Sequence, residues 1–355
     1  MQRCLDLARR ARGKTSPNPL VGAVVVRDGE VVGEGFHPQA GMPHAEVFAL
    51  REAGEKAKGA TIYVNLEPCN HYGKTPPCTE AIIQAGIKQV IIGTIDPDSR
   101  VSGGGIKRLM GAGIDVRVGI EEKDCLLLNE AFIFRVTHQR PFGILKYAMT
   151  LDGKIATMTG DSKWVTCAMA RNYVHHLRST CDIVVVGGNT VRKDNPRLTS
   201  HGVSSHNPCR GVISPSFNLP RDAHLWNTQE AKTIIFTTPH PNSPLKSHLL
   251  NQGVEIVELT DFSISLIMDN FYQRGFNSVL WECGGNLSAR VMGAGGIQKV
   301  LAFIAPKIIG SNNSYHPMGD LGIQNMADAF NLHDLSIQSL GHDFLIQGYL
   351  RVMDN

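Results

Sequence analysis

Residues 43–78 read PHAEVFALREAGEKAKGATIYVNLEPCNHYGKTPPC, and the fold of the first part of the chain is decided there. Val47, Ala49 and Leu50 recur as on a short buried helix after His44, and Ile82, Ile83 and Ala85 do the same after Cys78. Residues 61–66 between them read as a strand. One imidazole, His44, and two thiols, Cys69 and Cys78, accompany these elements, with Glu46 two residues past the histidine. A zinc ion with three protein ligands keeps a fourth position open for water and lowers that water's pKa toward neutrality. Glu46 is then suited to take the water's proton and pass it to a leaving amine. Hydrolytic removal of an amino group from a heterocyclic ring needs those parts. The competing reading is a chance His-x-Glu pair beside two cysteines packed as apolar side chains. Pro43 and Pro68, each directly before a ligand, favour zinc: proline suits the first turn of a helix, where open amides and the dipole stabilise a thiolate.

The rest of the chain sets bounds on this chemistry. At 355 residues there is room for two domains of ordinary size. A net charge of +3 without a long basic run, and only 6% aromatic residues, lack the basic groove and stacking rings of single-strand nucleic-acid binders. No apolar run approaches the length of a bilayer span. The start, MQRCLDLARRAR, alternates charged and apolar residues as an amphipathic helix does, unlike a secretory signal, and the metal motifs follow too soon for a transit peptide. Eight cysteines scattered without repeated spacing predict a reducing cytoplasm rather than a disulfide framework.

Working outward, a helix is predicted over 4–12, a strand over 21–26, and a hairpin partner over 30–33 after the Asp28-Gly29 turn. Strands at 61–66, 90–93 and 115–118 alternate with helices after Cys78 and over 105–112. A helix over 121–138, with Leu126, Leu127, Leu128 and Phe132 on one side, closes the domain. Such alternation predicts an α/β domain whose sheet is covered on both faces. Gly103-Gly104-Gly105 reads as a loop before a helix rather than a phosphate cradle. Arg140-Pro141 marks the boundary between domains 1–140 and 141–355, since proline disfavours helix in the residue before it. Beyond it, strands are predicted over 142–149, 182–187, 211–214, 233–237, 279–282 and 300–304, a helix over 168–179, and an edge pair over 335–340 and 343–352.

The second domain has no G-x-G-x-x-G fingerprint, so a Rossmann dinucleotide site is unsupported. Two apolar strands run into glycine turns instead, Val184-Val185-Val186 into Gly187-Gly188 and Leu280-Trp281 into Cys283-Gly284-Gly285. Glycines let backbone approach a ligand, and amides at a helix start attract phosphate, although packing alone also produces such turns. Lys146 lies inside an apolar strand, where an unpaired ammonium is costly. That cost suggests a task, such as holding substrate hydroxyls or polarising a sugar carbon that accepts hydride.

Most zinc deaminases of this kind carry their cysteines as C-x-x-C, whereas eight residues, NHYGKTPP, separate Cys69 from Cys78. With PNPLVG at 17–22, HAE at 44–46 and GKTPPC at 73–78, the chain resembles the bifunctional riboflavin biosynthesis proteins of the RibD type. KYAMTLDGKIA at 146–156, GDSKWVT at 160–166, the G-x-x-T-V-x-x-D-N-P-x-L-T run at 187–199 and WECGG at 281–285 resemble that family's reductase half. The resemblance implies a cytidine deaminase-like α/β/α domain followed by a dihydrofolate reductase-like domain, with zinc in the first and NADPH in the second. It implies pocket roles for Asn18 and His37, and for Lys74 a place facing a phosphate or simply solvent. It places cofactor contacts at Ala148, Trp164, Thr190, Asp194, Gly284, Gly285, Asn286, Leu287, Ser288, Ala289 and Arg290. Substrate contacts fall at Ser162, Arg178, Leu198 and Glu282, with Glu46 and Lys146 catalytic. The substrates implied are small pyrimidine ribosyl phosphates, and the assembly a homo-oligomer formed through the reductase domain. His201 stands where the family usually has a phosphate-anchoring arginine, which leaves Arg197 to substitute or the phosphate less tightly held.

Overall fold

The structure, a computed structural model, describes residues 1–72, 76–98, 102–311 and 315–350; Lys74 and the end of the last predicted strand lie outside them. The chain divides into two compact units, Met1–Arg140 and Pro141–Asn355.

In the first unit, β1 (Gly22–Arg27), β2 (Glu30–Phe36), β3 (Thr61–Leu66), β4 (Gln89–Thr94) and β5 (Asp115–Val118) form a sheet in the order β2-β1-β3-β4-β5. β1 is antiparallel to both neighbours, and β3, β4 and β5 run parallel. The helices are α1 (Gln2–Arg9), α2 (Ala45–Ala53), α3 (Cys78–Gln84), α4 (Gly104–Gly111), α5 (Glu122–Leu128) and α6 (Glu130–His138). Strand alternation sends Ala23, Val25, Ile62 and Val64 to one face, where they pack with Ala45, Ala49, Ile82 and Leu109 of α2, α3 and α4. On the other face, Cys4 and Leu7 of α1 cover Val24 and Tyr63, while Leu5 and Ala8 meet Cys125 and Leu128 of α5.

α2 lies close against β2 because two glycines face it. A Cβ on Gly33 would fall 2.7 Å from the Ala53 nitrogen, and one on Gly35 would fall 2.6 Å from the Ala49 nitrogen and onto the Ala45 carbonyl. Ala45, Ala49 and Ala53 supply the matching small face at a spacing of four residues. Gly35→Ala is therefore expected to push out the start of α2, costing about 1–3 kcal/mol in a denaturant melt and weakening metal binding at His44.

The helix predicted over 121–138 is broken at Asn129, which leaves helical geometry at φ −108° and ψ 18°. Its side-chain amide pairs instead with the backbone of Leu20: Leu20 N–H donates to Oδ1 at 2.8 Å, and Nδ2 donates to the Leu20 carbonyl at 3.0 Å. α5 turns Cys125 and Leu128 toward α1, and helical spacing then leaves Leu126 and Leu127 exposed, against the expected apolar side. Gly103 is the N-cap of α4, while Gly104 and Gly105 already lie in its first turn, and this helix start binds an internal carboxyl side chain. Glu67, buried beside Pro68 and Cys69, accepts the Gly103, Gly105 and Ile106 amides at 3.0, 2.9 and 3.2 Å.

The second unit contains β6 (Phe142–Thr150), α7 (Ala168–Thr180), β7 (Ile183–Gly187), α8 (Gly188–Asp194), β8 (Cys209–Ile213), β9 (Thr233–Thr237) and α9 (Pro244–Asn251). β10 (Glu255–Glu258), α10 (Ile264–Gln273), β11 (Ser278–Trp281), α11 (Gly285–Gly293), β12 (Lys299–Ala305), β13 (Leu332–Leu340) and β14 (Asp343–Leu350) follow. The sheet order is β10-β9-β8-β7-β11-β6-β12-β14-β13, parallel from β10 through β12 and antiparallel at the β14 and β13 edge. Parallel strands buried on both faces read as unbroken apolar runs, as Ile183 to Val186 do. β10, EIVE, is a short, partly exposed edge strand whose polar ends conceal it in the sequence. After β7 the chain builds toward one edge and after β11 toward the other. The adjacent ends of β7 and β11 thus form a topological switch point, the usual crevice for a ligand in an open α/β sheet. Among the described residues, no helix is long and apolar enough to cross a membrane.

Candidate active sites

In the first unit, His44 caps α2 and Glu46 sits in that helix's first turn. Cys78 opens α3 after Pro77, whereas Cys69 lies in the loop after β3, so the helical placement expected for Cys69 from Pro68 does not hold. α3 still reaches it: the Cys78 amide donates to the Cys69 sulfur at 3.4 Å. Cys69 is held further by the Thr79 amide, which donates to its carbonyl at 3.3 Å. His44 Nδ1 lies 3.5 Å from Cys69 Sγ and 3.3 Å from Cys78 Sγ, and the three donor atoms fall within 4.8 Å of one another.

That spacing matches corners of a tetrahedron built on bonds of about 2.0–2.3 Å, and one imidazole with two sulfurs is a zinc donor set. Beside it, Glu46 is 2% exposed and its Oε2 is buried without a hydrogen-bond partner. Burial raises the Glu46 carboxyl above its ordinary range. The hydrogen bond with Cys78 draws the Cys69 thiol down to about 4, and the bond with Cys69 lifts His44 to about 9.

Asn18 and His37 join this group. His37 is buried with its ring edge-on to His44 at 5.4 Å between centroids. Its Nδ1 lies 3.1 Å from the Pro43 carbonyl, which can only accept, so Nδ1 carries the proton and Nε2 receives the Asn18 amide at 3.0 Å. Burial lowers the His37 pKa and keeps that neutral tautomer. The loop carrying Asn18 is clamped by two residues that sequence reasoning missed, Asn65 and Asn129. Asn65 accepts the Gly22 amide at 2.8 Å and donates to the Leu20 carbonyl at 2.9 Å.

In the second unit, the crevice between the ends of β7 and β11 is a cleft of about 480 Å³. It gathers Ser162, Thr190, Asp194, Gly284, Gly285, Asn286 and Leu287, with Asn189 from the first glycine turn, together with Lys193, Tyr315 and His316, which the sequence did not single out. Its size suits a cofactor. A Cβ on Gly284 would meet open space, so backbone and the N-terminus of α11 face the cleft unobstructed, as a dinucleotide phosphate requires. These features fit NADPH. Ala148, Trp164, Ala289 and Arg290 are not among the lining residues. Ser288 is turned inward: its hydroxyl donates to the Cys283 carbonyl at 3.3 Å, its amide to Gly284, and the residue is fully buried. Leu198 is likewise only 2% exposed, so its side chain offers a ligand nothing.

Lys146, Arg178 and Glu282 form a separate cluster. Arg178 forks onto Glu282 at 2.6 and 3.0 Å, and Lys146 Nζ reaches the same carboxylate at 3.3 Å. The Lys146 ammonium is thus paired, and Glu282 serves two cations at once. Arg178 also donates to the Thr199 carbonyl at 3.3 Å, beside a pocket of about 300 Å³ lined by Arg197, Ser200, His201 and Glu230. Arg197 is engaged with Glu230, while His201 stacks on His175 at 4.2 Å.

Two family models match separate parts of the chain. Residues 1–94 match the cytidine and deoxycytidylate deaminase zinc-binding region, and residues 141–346 match the RibD C-terminal domain. The riboflavin biosynthesis protein RibD of Synechocystis sp. is 57% identical over 350 residues, covering 99% of this chain and 95% of that one. A solved Acinetobacter baumannii RibD superposes with a TM-score of 0.88 at 34% identity, covering 99% of this chain and 97% of that one. A Thermotoga maritima diaminohydroxyphosphoribosylaminopyrimidine deaminase/5-amino-6-(5-phosphoribosylamino)uracil reductase gives 0.87 at 39% identity, with the same coverage. The chain belongs to the RibD family of riboflavin biosynthesis proteins.

Proposed function

We propose that this chain is a bifunctional enzyme of riboflavin synthesis. Its first unit, residues 1–140, deaminates 2,5-diamino-6-ribosylamino-4(3H)-pyrimidinone 5′-phosphate at ring carbon 2. Its second unit, residues 141–355, reduces the ribosyl chain of 5-amino-6-(5-phosphoribosylamino)uracil to ribityl. The observation that carries this reading is the buried, unpartnered Glu46 oxygen beside three convergent zinc donors.

His44, Cys69 and Cys78 would hold zinc, which when bound lowers the pKa of water toward neutrality. Glu46, whose carboxyl is already biased toward holding a proton, takes one from the attacking water and returns it to the departing amino group, which leaves as ammonia. The neutral His37 and Asn18 present fixed polar groups to the pyrimidine. In the second unit NADPH supplies hydride, and the protein orients the two partners. Ser162, Thr190, Asp194 and Gly284 to Leu287 would hold the cofactor and the substrate edge next to it. Lys146, steadied by Glu282, would donate to the sugar oxygen on which charge develops as hydride arrives.

A homo-oligomer through the second unit belongs to the same reading. Leu335, Ile337 and Phe344 stand exposed at 60%, 69% and 47%, on one face of the β13–β14 ribbon by cross-strand register. A second copy would cover them; light scattering that finds only monomer would remove this part. The scattered free cysteines suit the reducing cytoplasm.

The test is ammonia release from the diaminopyrimidine phosphate without NADPH. It should proceed at full rate, stop when a chelator strips the metal, and return with added zinc. Undiminished release from metal-free protein would overturn the assignment.

A further inference from the structure

We infer a second zinc site, built by Cys167, His342 and Asp343 where the β13–β14 turn meets the start of α7. Their ligand atoms lie within 4.8 Å of one another, the same closeness that defines the His44, Cys69 and Cys78 group. The segments are far apart in sequence, and the fold brings them together. Cys167 is the N-cap of α7, and its thiol points into the hairpin, donating to the Leu340 carbonyl at 3.1 Å.

Asp343 is fully buried and its two oxygens differ. Oδ2 accepts the Cys167 amide at 2.6 Å and so caps α7. Oδ1 is buried without a hydrogen-bond partner, and the His342 Nε2 lies 3.6 Å away, outside bonding range. An orphaned buried carboxylate oxygen costs about 1–3 kcal/mol or more, so a role for it is worth seeking. Gly341 makes the turn at φ +67°, a conformation that favours glycine, and a Cβ there would stand 3.4 Å from both Cys167 Sγ and Met169 Sδ. Gly341 thus brings the turn into van der Waals range of the thiol, and His342 follows it directly on the same exposed turn.

Thiolate, imidazole and carboxylate together suit Zn2+, with the remaining position left to solvent. Binding would release the Cys167 thiol proton to water and fill the vacant acceptor on Asp343. The cation would then fasten the hairpin to α7, whose last turn carries Arg178 about 16 Å further along.

The experiment is zinc titration of the metal-stripped full chain, with ammonia release reporting the first site. Wild-type protein should bind about two zinc ions per chain. His342→Ala and Cys167→Ser should each bind about one and keep the wild-type ammonia rate. Added zinc should also raise the melting temperature read by tryptophan fluorescence, and His342→Ala should abolish that shift. His342→Gln, which keeps a polar residue on the turn, repeats the measurement if the alanine variant folds poorly. One zinc per chain in wild type, or two retained in both variants, would overturn the site.

Discussion

Glu46→Gln is expected to lower ammonia release by roughly 10²–10⁴-fold while leaving the zinc content and the reductase rate unchanged. The amide has the size of the carboxyl and can occupy the same buried place in the first turn of α2. What it loses is the ability to hold and release a proton. Packing around Ala45 and Ala49 is untouched, and the three metal donors come from residues 44, 69 and 78. Metal analysis, ammonia detection and NADPH oxidation with the deaminated substrate separate the three properties. A variant with near-normal ammonia release would remove Glu46 from the chemistry.

Glu282→Gln is expected to destabilise the second unit by about 3–5 kcal/mol, because it strands two cations away from water. Lys146 and Arg178 have side chains only 16% and 12% exposed, and Glu282 is their shared counterion. Burial alone would raise the Glu282 carboxyl; the Arg178 guanidinium and then the Lys146 ammonium outweigh it and hold it at about 2, below an ordinary value of 4.5. A depressed folded-state pKa contributes stability that is present above pH 4.5 and lost as the pH falls toward 2. The full contribution is on the order of 3 kcal/mol. Trp164, Trp226 and Trp281 all belong to the second unit, so tryptophan fluorescence follows its unfolding inside the intact chain. The wild-type urea midpoint should fall between pH 4.5 and 2 more steeply than that of the variant. Equal pH dependence in the two proteins would show that the cluster contributes nothing through Glu282. Reductase activity should drop as well, since Lys146 loses the partner that fixes its position.

The metal-binding group was legible because a histidine, a glutamate two residues on and then two cysteines have few other uses together, and the flanking helices and strand have clear apolar periods. The alternating elements of the first unit were readable for the same reason. Asn129 was not, because the break it makes is set by a long-range pairing with Leu20, which local propensity cannot register. Cys69 was misplaced for a related reason: a preceding proline suits a helix start and an extended loop equally well, and only the position of α3 separates them. In the second unit, the cost of an ammonium in an apolar strand marked Lys146 as a residue with a task, but nothing local showed that Glu282 is its counterion, shared with Arg178. Tyr315 and His316 enter the cleft from a segment remote from its glycine turns, so no motif announces them.

The most direct test is to give wild-type protein and Glu46→Gln the diaminopyrimidine phosphate together with NADPH, and follow ammonia and NADPH in one reaction. In the wild type, ammonia should appear first and NADPH oxidation should trail it, mole for mole. In the variant both should nearly vanish, and NADPH oxidation should recover when the deaminated compound is supplied. Oxidation of NADPH by the variant at the wild-type rate, with no ammonia formed, would contradict the claim that deamination at this site precedes reduction.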